Sequence, residues 1–229
     1  MEKVETLKSV FITGGTGYVG QRLTAALVQR GHRVRVLARP QSVVRVAAGA
    51  EPVVGDALDA SSFATTLTTD DTLVHLVGTP HPSPAKAAEF QRVDLPSVRT
   101  AVSAALSASV AHLVYVSVAH PAPVMHAYIE VRHKGEAAIA SAGLTATVLR
   151  PWYVLGPGHW WPVALLPLYA LCEIVPSTRA TARRLGLVTI GQMVRALVNA
   201  VERPPTHGTI RVVEVPAIRR GAVDGNRSM

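Results

Sequence analysis

The sequence predicts a doubly wound α/β fold, in which a parallel sheet is covered by helices on both faces in three layers, with a small C-terminal cap. Two observations support this fold class. Short apolar runs alternate with longer helix-like segments, and glycines cluster between the first run and the first helix. The 229 residues are 48% hydrophobic and 17% charged, which excludes a disordered or low-complexity chain. A single domain spanning residues 1–229 is therefore expected.

Six apolar runs have the length of strands, and helix-like segments separate several of them. The runs are Val10–Thr13, Val34–Leu37, Pro52–Val54, Leu73–Val77, Leu113–Ser117 and Thr145–Leu149. The helix-like segments are Gly20–Arg30, Ala85–Ser107 and Met125–Ala142, and a later helix at Ile190–Val201 precedes a last strand at Thr209–Val213. Strands and helices in this succession indicate a parallel sheet.

The alternation stops after Pro151, where glycines and prolines punctuate an apolar, aromatic stretch. We predict that residues 152–189 form a cap at the carboxyl edge of the sheet, either as an apolar substrate pocket or simply as a cover for the core. The longest apolar run, from Trp160 to Cys172, is broken by two prolines and is shorter than the roughly 18 residues of a membrane span.

The formal net charge of +8 lies mostly near the C-terminus, where residues 179–229 carry nine arginines and three acidic residues. Such asymmetry can indicate nucleic acid or an anionic membrane. No aromatic residues lie between these arginines to stack on bases, so we expect a solvated surface and no nucleic-acid partner. Peripheral membrane contact through Trp160 and Trp161 is a second interpretation. Residues 217–229 are predicted to form a flexible tail.

The cysteine content favours a reducing compartment. Cys172 is the sole cysteine, which leaves no internal disulfide. The first residues lack the apolar core of a signal peptide, so we expect a cytoplasmic protein. The nine histidines show neither an HExxH pattern nor close pairing with acidic residues, and no metal site is predicted.

The glycine cluster is the strongest functional signal. Gly15, Gly17 and Gly20 have GxGxxG spacing, and Gly14 adds an overlapping GxxGxxG pattern. Both patterns describe a tight turn that brings a helix N-terminus close to a pyrophosphate. We therefore predict a dinucleotide-binding loop. Its predicted cofactor contacts are Gly14, Gly15, Thr16, Gly17, Tyr18 and Val19.

The residues after the loop favour NADP(H) over NAD(H). An acidic residue about 20 positions beyond the glycines usually binds the ribose of NAD, but none lies between Glu5 and Glu51. The second predicted strand instead ends in Arg39, which can bind a 2′-phosphate through two charge-assisted hydrogen bonds. Asp56 follows the third strand and is predicted either to accept from the adenine amino group or to cap a helix; Asp59 is predicted to be a cap.

A series of motifs resembles the short-chain dehydrogenase/reductase superfamily in its extended and atypical branch, which includes NmrA-like proteins and NAD(P)-binding relatives of a complex I accessory subunit. The motifs are Thr13–Gly20, Leu37–Arg39, Gly55-Asp56, Val116-Ser117, Tyr128 with Gly135-Glu136, and Leu149–Pro157. The resemblance covers residues 9–160. It implies a Rossmann-like fold, a turn containing Pro151 beside the nicotinamide, and close approach of the backbone to the cofactor at Gly78.

The resemblance also implies a catalytic Tyr that is assisted by a Lys four residues later and by a Ser on the preceding strand. Tyr128 would be the acid or base, and Ser117 would orient the substrate oxygen. Arg132 stands where Lys is expected, and Gly135-Glu136 keep their spacing from the Tyr, so the register is intact. An Arg supplies charge but does not relay a proton, because its pKa exceeds 12.

The function implied by these residues is NADP(H)-dependent hydride transfer to or from a small apolar carbonyl-type substrate, with Ser117 and Tyr128 catalytic and Arg132 a modified helper. Two alternatives stay open: a non-catalytic NADP(H)-binding sensor or accessory protein, and a non-redox reaction such as isomerisation. The helices at Met125–Ala142 and Ile190–Val201 could supply the face of a homodimer.

Overall fold

A computed structural model describes residues 7–158 and 176–221. The strands are β1 (Ser9–Thr13), β2 (Arg33–Ala38), β3 (Glu51–Val54), β4 (Asp71–His75), β5 (His112–Val116), β6 (Ala146–Arg150), β7 (Tyr153–Leu155), β8 (Leu187–Thr189) and β9 (Ile210–Glu214). The main sheet is parallel and has seven strands in the order β3-β2-β1-β4-β5-β6-β9. The strands β7 and β8 form a separate parallel pair.

Helices cover both faces of the sheet. They are α1 (Tyr18–Gln29), α2 (Ala87–Glu89), α3 (Leu95–Ser107), α4 (His126–Ser141), α5 (Pro176–Arg184), α6 (Ile190–Glu202) and α7 (Val215–Arg220). Short 3-10 turns lie at Pro40–Arg45, Ala60–Ser62, Ala64–Thr66 and Pro84–Lys86, and a π-helical turn lies at Phe90–Asp94. The predicted doubly wound, three-layer α/β fold is confirmed.

The two faces of β1 belong to two hydrophobic clusters, because successive side chains of a strand point to opposite sides. Val10 and Ile12 are fully buried in a cluster that includes Leu23 and Leu27 of α1. Phe11, between them, is buried in the other cluster with residues of α3 and α4. Leu23 and Leu27 lie one helical turn apart, so one face of α1 is apolar.

The predicted helix Ala85–Ser107 is interrupted in the structure. A 3-10 turn, the short α2 and the π-helical turn Phe90–Asp94 precede α3. Pro96 lies in the first turn of α3, where its missing N–H costs no internal hydrogen bond. A regular α-helix running through this point would use the N–H of residue 96 in a backbone hydrogen bond, and proline has none. The regular pattern of helical hydrogen bonds therefore does not continue through Pro96.

The C-terminal part differs from the prediction at two places. The expected flexible tail from residue 217 is wrong at its beginning, since α7 continues to Arg220 and Ile218 is fully buried in the core. Residues 222–229 lie outside the described residues. The region predicted to be a cap contains β7, α5 and β8, which the sequence pattern did not show, and its residues 159–175, with most of its tryptophans, are also outside the description.

No helix within residues 7–158 and 176–221 combines the length and the apolar character needed to cross a membrane. Across the same two ranges, no group of three or more His, Cys, Asp or Glu side chains is arranged to hold a metal ion.

A buried ion pair joins strands at the amino edge of the sheet. Asp71 of β4 is fully buried and lies 2.6 Å from the Arg35 guanidinium of β2, across the intervening β1. Burial by itself would raise the pKa of the Asp71 carboxyl. Hydrogen bonds from Arg35, Ser9 and Thr68 outweigh burial and hold that pKa below its ordinary value.

We expect Asp71→Asn to lower the free energy of unfolding by about 3–5 kcal/mol, because it leaves the Arg35 charge buried without a partner. Urea unfolding at neutral pH measures this loss. The difference from wild type should begin to shrink as the pH falls below about 4, where the Asp71 carboxyl is protonated in the unfolded chain, and should disappear only below the lower pKa of the folded protein.

Glu51→Gln is the matched control for this test. It breaks the exposed Arg33–Glu51 pair, whose charged atoms are 3.6 Å apart on neighbouring strands, and should cost at most about 1 kcal/mol. Equal losses in the two variants would contradict the assignment of stability to the buried pair.

Candidate active site

The glycine loop lies between the carboxyl ends of β1 and β4, where the strand order reverses direction. Gly14 has a φ of +77°, and a Cβ there would lie 2.8 Å from the backbone carbonyl carbon of Leu76. A Cβ on Gly20 would lie 2.6 Å from the Cα of Gly15. The turn can therefore be this tight only with glycine at these positions, and α1 begins directly against the sheet edge. Ligands of open parallel sheets bind at such a switch point.

The N-terminus of α1 is arranged to bind an anion. Its cap residue Gly17 offers no side chain, and the first turn contains no acidic residue. The first backbone N–H groups of the helix therefore keep their capacity for an external acceptor. Thr16 and Val19 are half-buried around the same loop. A cradle that a single Cβ would fill, at a helix N-terminus, fits a dinucleotide pyrophosphate.

Tyr18 contributes to this loop mainly through its backbone. Its hydroxyl packs where a Cβ on Gly156 would be, after β7, and the Arg22 guanidinium lies 4.3 Å from its ring centroid. The side chain thus links the loop to the segment that follows β6.

Arg39 is exposed at the carboxyl end of β2, and its carbonyl accepts a hydrogen bond from the N–H of Ser42 at 2.7 Å. Within the described part of the chain, its guanidinium makes no hydrogen bond or ion pair with another side chain. Asp56 is also exposed, and its Oδ1 accepts from the Leu58 N–H at 2.9 Å in a local turn rather than as a helix cap. Asp59 caps the following 3-10 turn, which confirms that prediction.

Ser117 follows β5 and is buried, and its hydroxyl donates to the carboxylate of Glu136. Glu136 also accepts from Arg150, whose Nε lies 3.0 Å from Glu136 Oε1. Burial would raise the pKa of Glu136, but the nearby His120 and hydrogen bonds from Arg150 and Ser117 lower it to about 2. The Ser117 hydroxyl therefore faces an anion in this structure.

The structure brings Tyr128 and Arg132 together, one turn apart on α4. The Arg132 Cζ lies 5.0 Å from the half-buried Tyr128 ring centroid, and the ring of Phe90 lies 4.9 Å from the same centroid. Arg132 is itself buried and forms an ion pair of 2.7 Å with the fully enclosed Asp94. The Arg132 guanidinium therefore has its ion-pair partner inside the protein.

Gly78 and Pro151 have roles that the resemblance does not describe. A Cβ on Gly78 would collide with the Arg132 Nη2, so glycine makes room for the guanidinium at this position. Pro151 is buried after β6, and its carbonyl accepts from the Ala119 N–H at 2.9 Å, which ties the β5–α4 loop to β6.

Sequence reasoning missed Asp94, Phe90, Glu136 and Arg150 as parts of the site. Glu136 and Arg150 stand inside motifs that carry the resemblance, but their pairing was not evident from spacing. The available signal for Asp94 was its place as one of two acidic residues, with Glu89, in an Ala-rich segment, two positions before Pro96.

A doubly wound parallel sheet with a glycine loop at its switch point, and an uncapped helix N-terminus facing that loop, defines a Rossmann-type nucleotide-binding protein. Comparison with known proteins gives the family. Residues 14–156 match the NAD(P)H-binding family, and the chain belongs to it. The resemblance to the extended and atypical short-chain dehydrogenases/reductases is confirmed, and the family is reductase- and dehydrogenase-like.

Two curated relatives are reductases. Ceramide reductase of Caulobacter vibrioides is 29% identical over 213 residues, which cover 90% of this chain and 64% of the relative. The 4-hydroxy-2-methyl-3-oxo-4-farnesyl-3,4-dihydroquinoline-1-oxide ketoreductase of Stigmatella aurantiaca is 29% identical over 168 residues, which cover 64% of this chain and 50% of the relative. The chain thus spans less than two thirds of the length of either relative.

Solved structures show the same fold. The crystal structure of gox2253 is similar with a TM-score of 0.67 and 23% identity, over 90% of this chain and 70% of that one. A short-chain dehydrogenase/reductase superfamily protein from Agrobacterium tumefaciens with bound NAD is similar with a TM-score of 0.65 and 18% identity, over 93% and 81% of the two chains.

We expect Gly20→Ala to weaken NAD(P)H binding by at least about tenfold, because the new methyl group pushes α1 away from the loop that its N–H groups must face. Titration followed by nucleotide fluorescence measures this change. Gly191→Ala is the control, since a Cβ at Gly191 in α6 meets no atom within 4 Å. Similar losses in both variants would contradict the role assigned to the loop.

Proposed function

We propose that the chain is an NADP(H)-dependent oxidoreductase that transfers hydride to or from a small apolar carbonyl-type substrate. The observation that carries the proposal is the half-buried Tyr128 phenol beside the buried Arg132 cation, on the helix that follows β5. A phenol next to a fixed cation can release and recover a proton at the carboxyl edge where the nucleotide binds.

The preference for NADP(H) is supported by the end of β2. A guanidinium without a side-chain partner in the described residues, at the end of a strand with no acidic residue between Glu5 and Glu51, favours a 2′-phosphate over the free ribose hydroxyls of NAD. Arg39 would bind that phosphate, and the first N–H groups of α1 would bind the pyrophosphate. Asp56 remains a proposed acceptor for the adenine amino group through its second carboxylate oxygen.

When bound, NADP(H) supplies or receives the hydride. In the reducing direction, the Tyr128 hydroxyl gives its proton to the substrate oxygen, and in the oxidising direction the phenolate accepts it. Arg132 stays charged throughout and stabilises the phenolate through electrostatics. Because Arg132 does not carry protons, Tyr128 recovers its proton from solvent. Ser117 holds α4 to the end of β5 through Glu136 and is not assigned to the substrate oxygen.

An apolar substrate is supported by the relatives. The two reductases described above are named for ceramide and for a farnesylated quinoline oxide, both of which carry long apolar groups. The half-buried ring of Tyr128, backed by the buried ring of Phe90, makes this end of the site apolar. We assign substrate selection to the predicted cap of residues 152–189.

A second candidate is a non-catalytic NADP(H)-binding sensor or accessory protein. Two contacts favour it: the Arg132 charge is neutralised by Asp94, and the Ser117 proton is directed at Glu136. Both arrangements differ from the free Lys and Ser that the resemblance implies. The two functions differ in turnover and not in nucleotide affinity.

We expect Arg39→Ala to weaken NADPH binding by at least about tenfold and to leave weak NADH binding unchanged. Calorimetric titration at two salt concentrations measures both affinities, and the wild-type advantage for NADPH should fall at the higher concentration because salt screens an exposed charge. Arg33→Ala, at the opposite end of the same strand, is the control. Equal affinity of Arg39→Ala and wild type for NADPH would overturn the cofactor assignment.

We expect Tyr128→Phe to abolish NADPH consumption with apolar ketones and quinones while NADPH affinity changes less than about twofold, because only the proton donor is removed. Absorbance of the nicotinamide follows turnover, and calorimetry follows binding. If the wild type binds NADPH but oxidises none of it with any of these substrates, the sensor function is favoured instead.

A further inference from the structure

The π-helical turn Phe90–Asp94 places two buried side chains against α4. Phe90 has no exposed surface and contacts the Tyr128 ring, whereas Asp94 is 1% exposed and binds Arg132. A π turn distorts the regular helix and is frequent at functional sites. One local distortion thus supplies both an aromatic contact and a charge to the neighbourhood of Tyr128.

Three donors contact the buried carboxylate of Asp94. Its Oδ2 accepts from the Thr79 N–H at 3.0 Å and from the Thr79 hydroxyl at 2.6 Å, and its Oδ1 accepts from Arg132 Nη2 at 2.7 Å. The loop after β4 and the π turn are joined at this point.

Arg132 is held in place from several sides. Its Nη1 donates to the carbonyl of Val116 at 3.2 Å and, with a longer bond of 3.4 Å, to that of Val77, and Gly78 leaves the space it occupies. Burial disfavours the charged guanidinium, but Tyr128, Tyr115 and Asp94 together raise the pKa of Arg132 above its ordinary value. The cation beside Tyr128 is therefore permanent and fixed.

We propose that the turn Phe90–Asp94 is a positioning device for Tyr128, in which Phe90 packs on the ring and Asp94 acts through Arg132 by fixing the guanidinium and partly neutralising its charge. This inference rests on the proposed function, since it concerns the tyrosine to which we assign proton transfer. Asp94 and Phe90 are positioning residues and contact neither substrate nor cofactor in the proposal.

The charges predict the sign of each effect on the ionisation of Tyr128. Arg132 favours the phenolate because it lies close to the ring, and the Asp94 carboxylate opposes it by offsetting the Arg132 charge. Other ionisable groups lie on the elements that contact α4: Tyr115, Lys86, Arg92 and Arg99. Burial raises the pKa of Tyr115 and keeps it neutral, the Lys86 ammonium donates to the Pro80 carbonyl, and Arg92 and Arg99 are exposed.

The test is an ultraviolet titration of tyrosine ionisation in the full-length protein, with the matching Tyr128→Phe protein subtracted each time to isolate Tyr128. Asp94→Asn should move the Tyr128 titration to lower pH than in wild type, because Arg132 then acts without its counter-charge. Arg132→Met should move it to higher pH, and the double variant should lie between wild type and Arg132→Met. The ionisation constant should differ about tenfold or more between Asp94→Asn and Arg132→Met.

One control and one further variant separate positioning from general damage to the structure. Glu130→Gln removes an anion of the exposed Lys134–Glu130 pair on the same helix, and it should leave the titration nearly unchanged. Phe90→Leu keeps an apolar side chain without the ring, and it should lower kcat for phenanthrenequinone without shifting the charge-dependent titration.

A titration that moves to higher pH in Asp94→Asn, or that coincides in all variants, would overturn the inference. If Asp94→Asn does not fold, the comparison of Arg132→Met with the double variant tests the same sign, because only the former retains the carboxylate. If the order holds while no carbonyl or quinone is reduced, the reductase proposal fails and the positioning of Tyr128 stands. If turnover depends on Tyr128 but the titrations do not follow the expected order, the reductase proposal stands and the positioning inference fails.

Discussion

The rest of the site depends on the contact between the first turn of α1 and the carboxyl ends of β1 and β4. Gly14 and Gly20 allow it, because side chains there would overlap the backbone of the strand edge and of the loop itself. Once the helix begins at this edge, its N–H groups, the end of β2 and the start of α4 share one side of the sheet. The nucleotide site is thus a consequence of how closely one helix can approach a sheet.

Buried ion pairs fix the remaining geometry. At the carboxyl edge, Arg132 joins α4 to the π-helical turn and to the ends of β4 and β5, and Glu136, one turn later, joins the same helix to β5 and β6. Two attachments on one helix leave little freedom for the first turn, where Tyr128 lies. Such pairs recover little net stability after desolvation, so their evident contribution here is orientation.

The sequence was sufficient for features encoded locally and insufficient for those that depend on distant partners. Apolar periodicity located the strands of the main sheet, and the glycine spacing located the loop; Asp59, a local cap, was also predicted correctly. The pairing of Asp94 with Arg132 spans 38 positions, and no periodicity encodes it. Gly78 shows the same limit, because its neighbour in space is a guanidinium from another element and was not predicted from the loop itself.

The pairing of β7 with β8 has a consequence for how such chains can diversify. Tyr153–Leu155 leaves the end of β6, and Leu187–Thr189 leads into the capping box of α6, so the chain departs and returns at adjacent points. Because the chain leaves and returns at one paired position, the intervening segment can be lengthened, shortened or replaced while the register of the main sheet is preserved. New ligand selectivity can then evolve as an insertion, without redesign of the nucleotide-binding half.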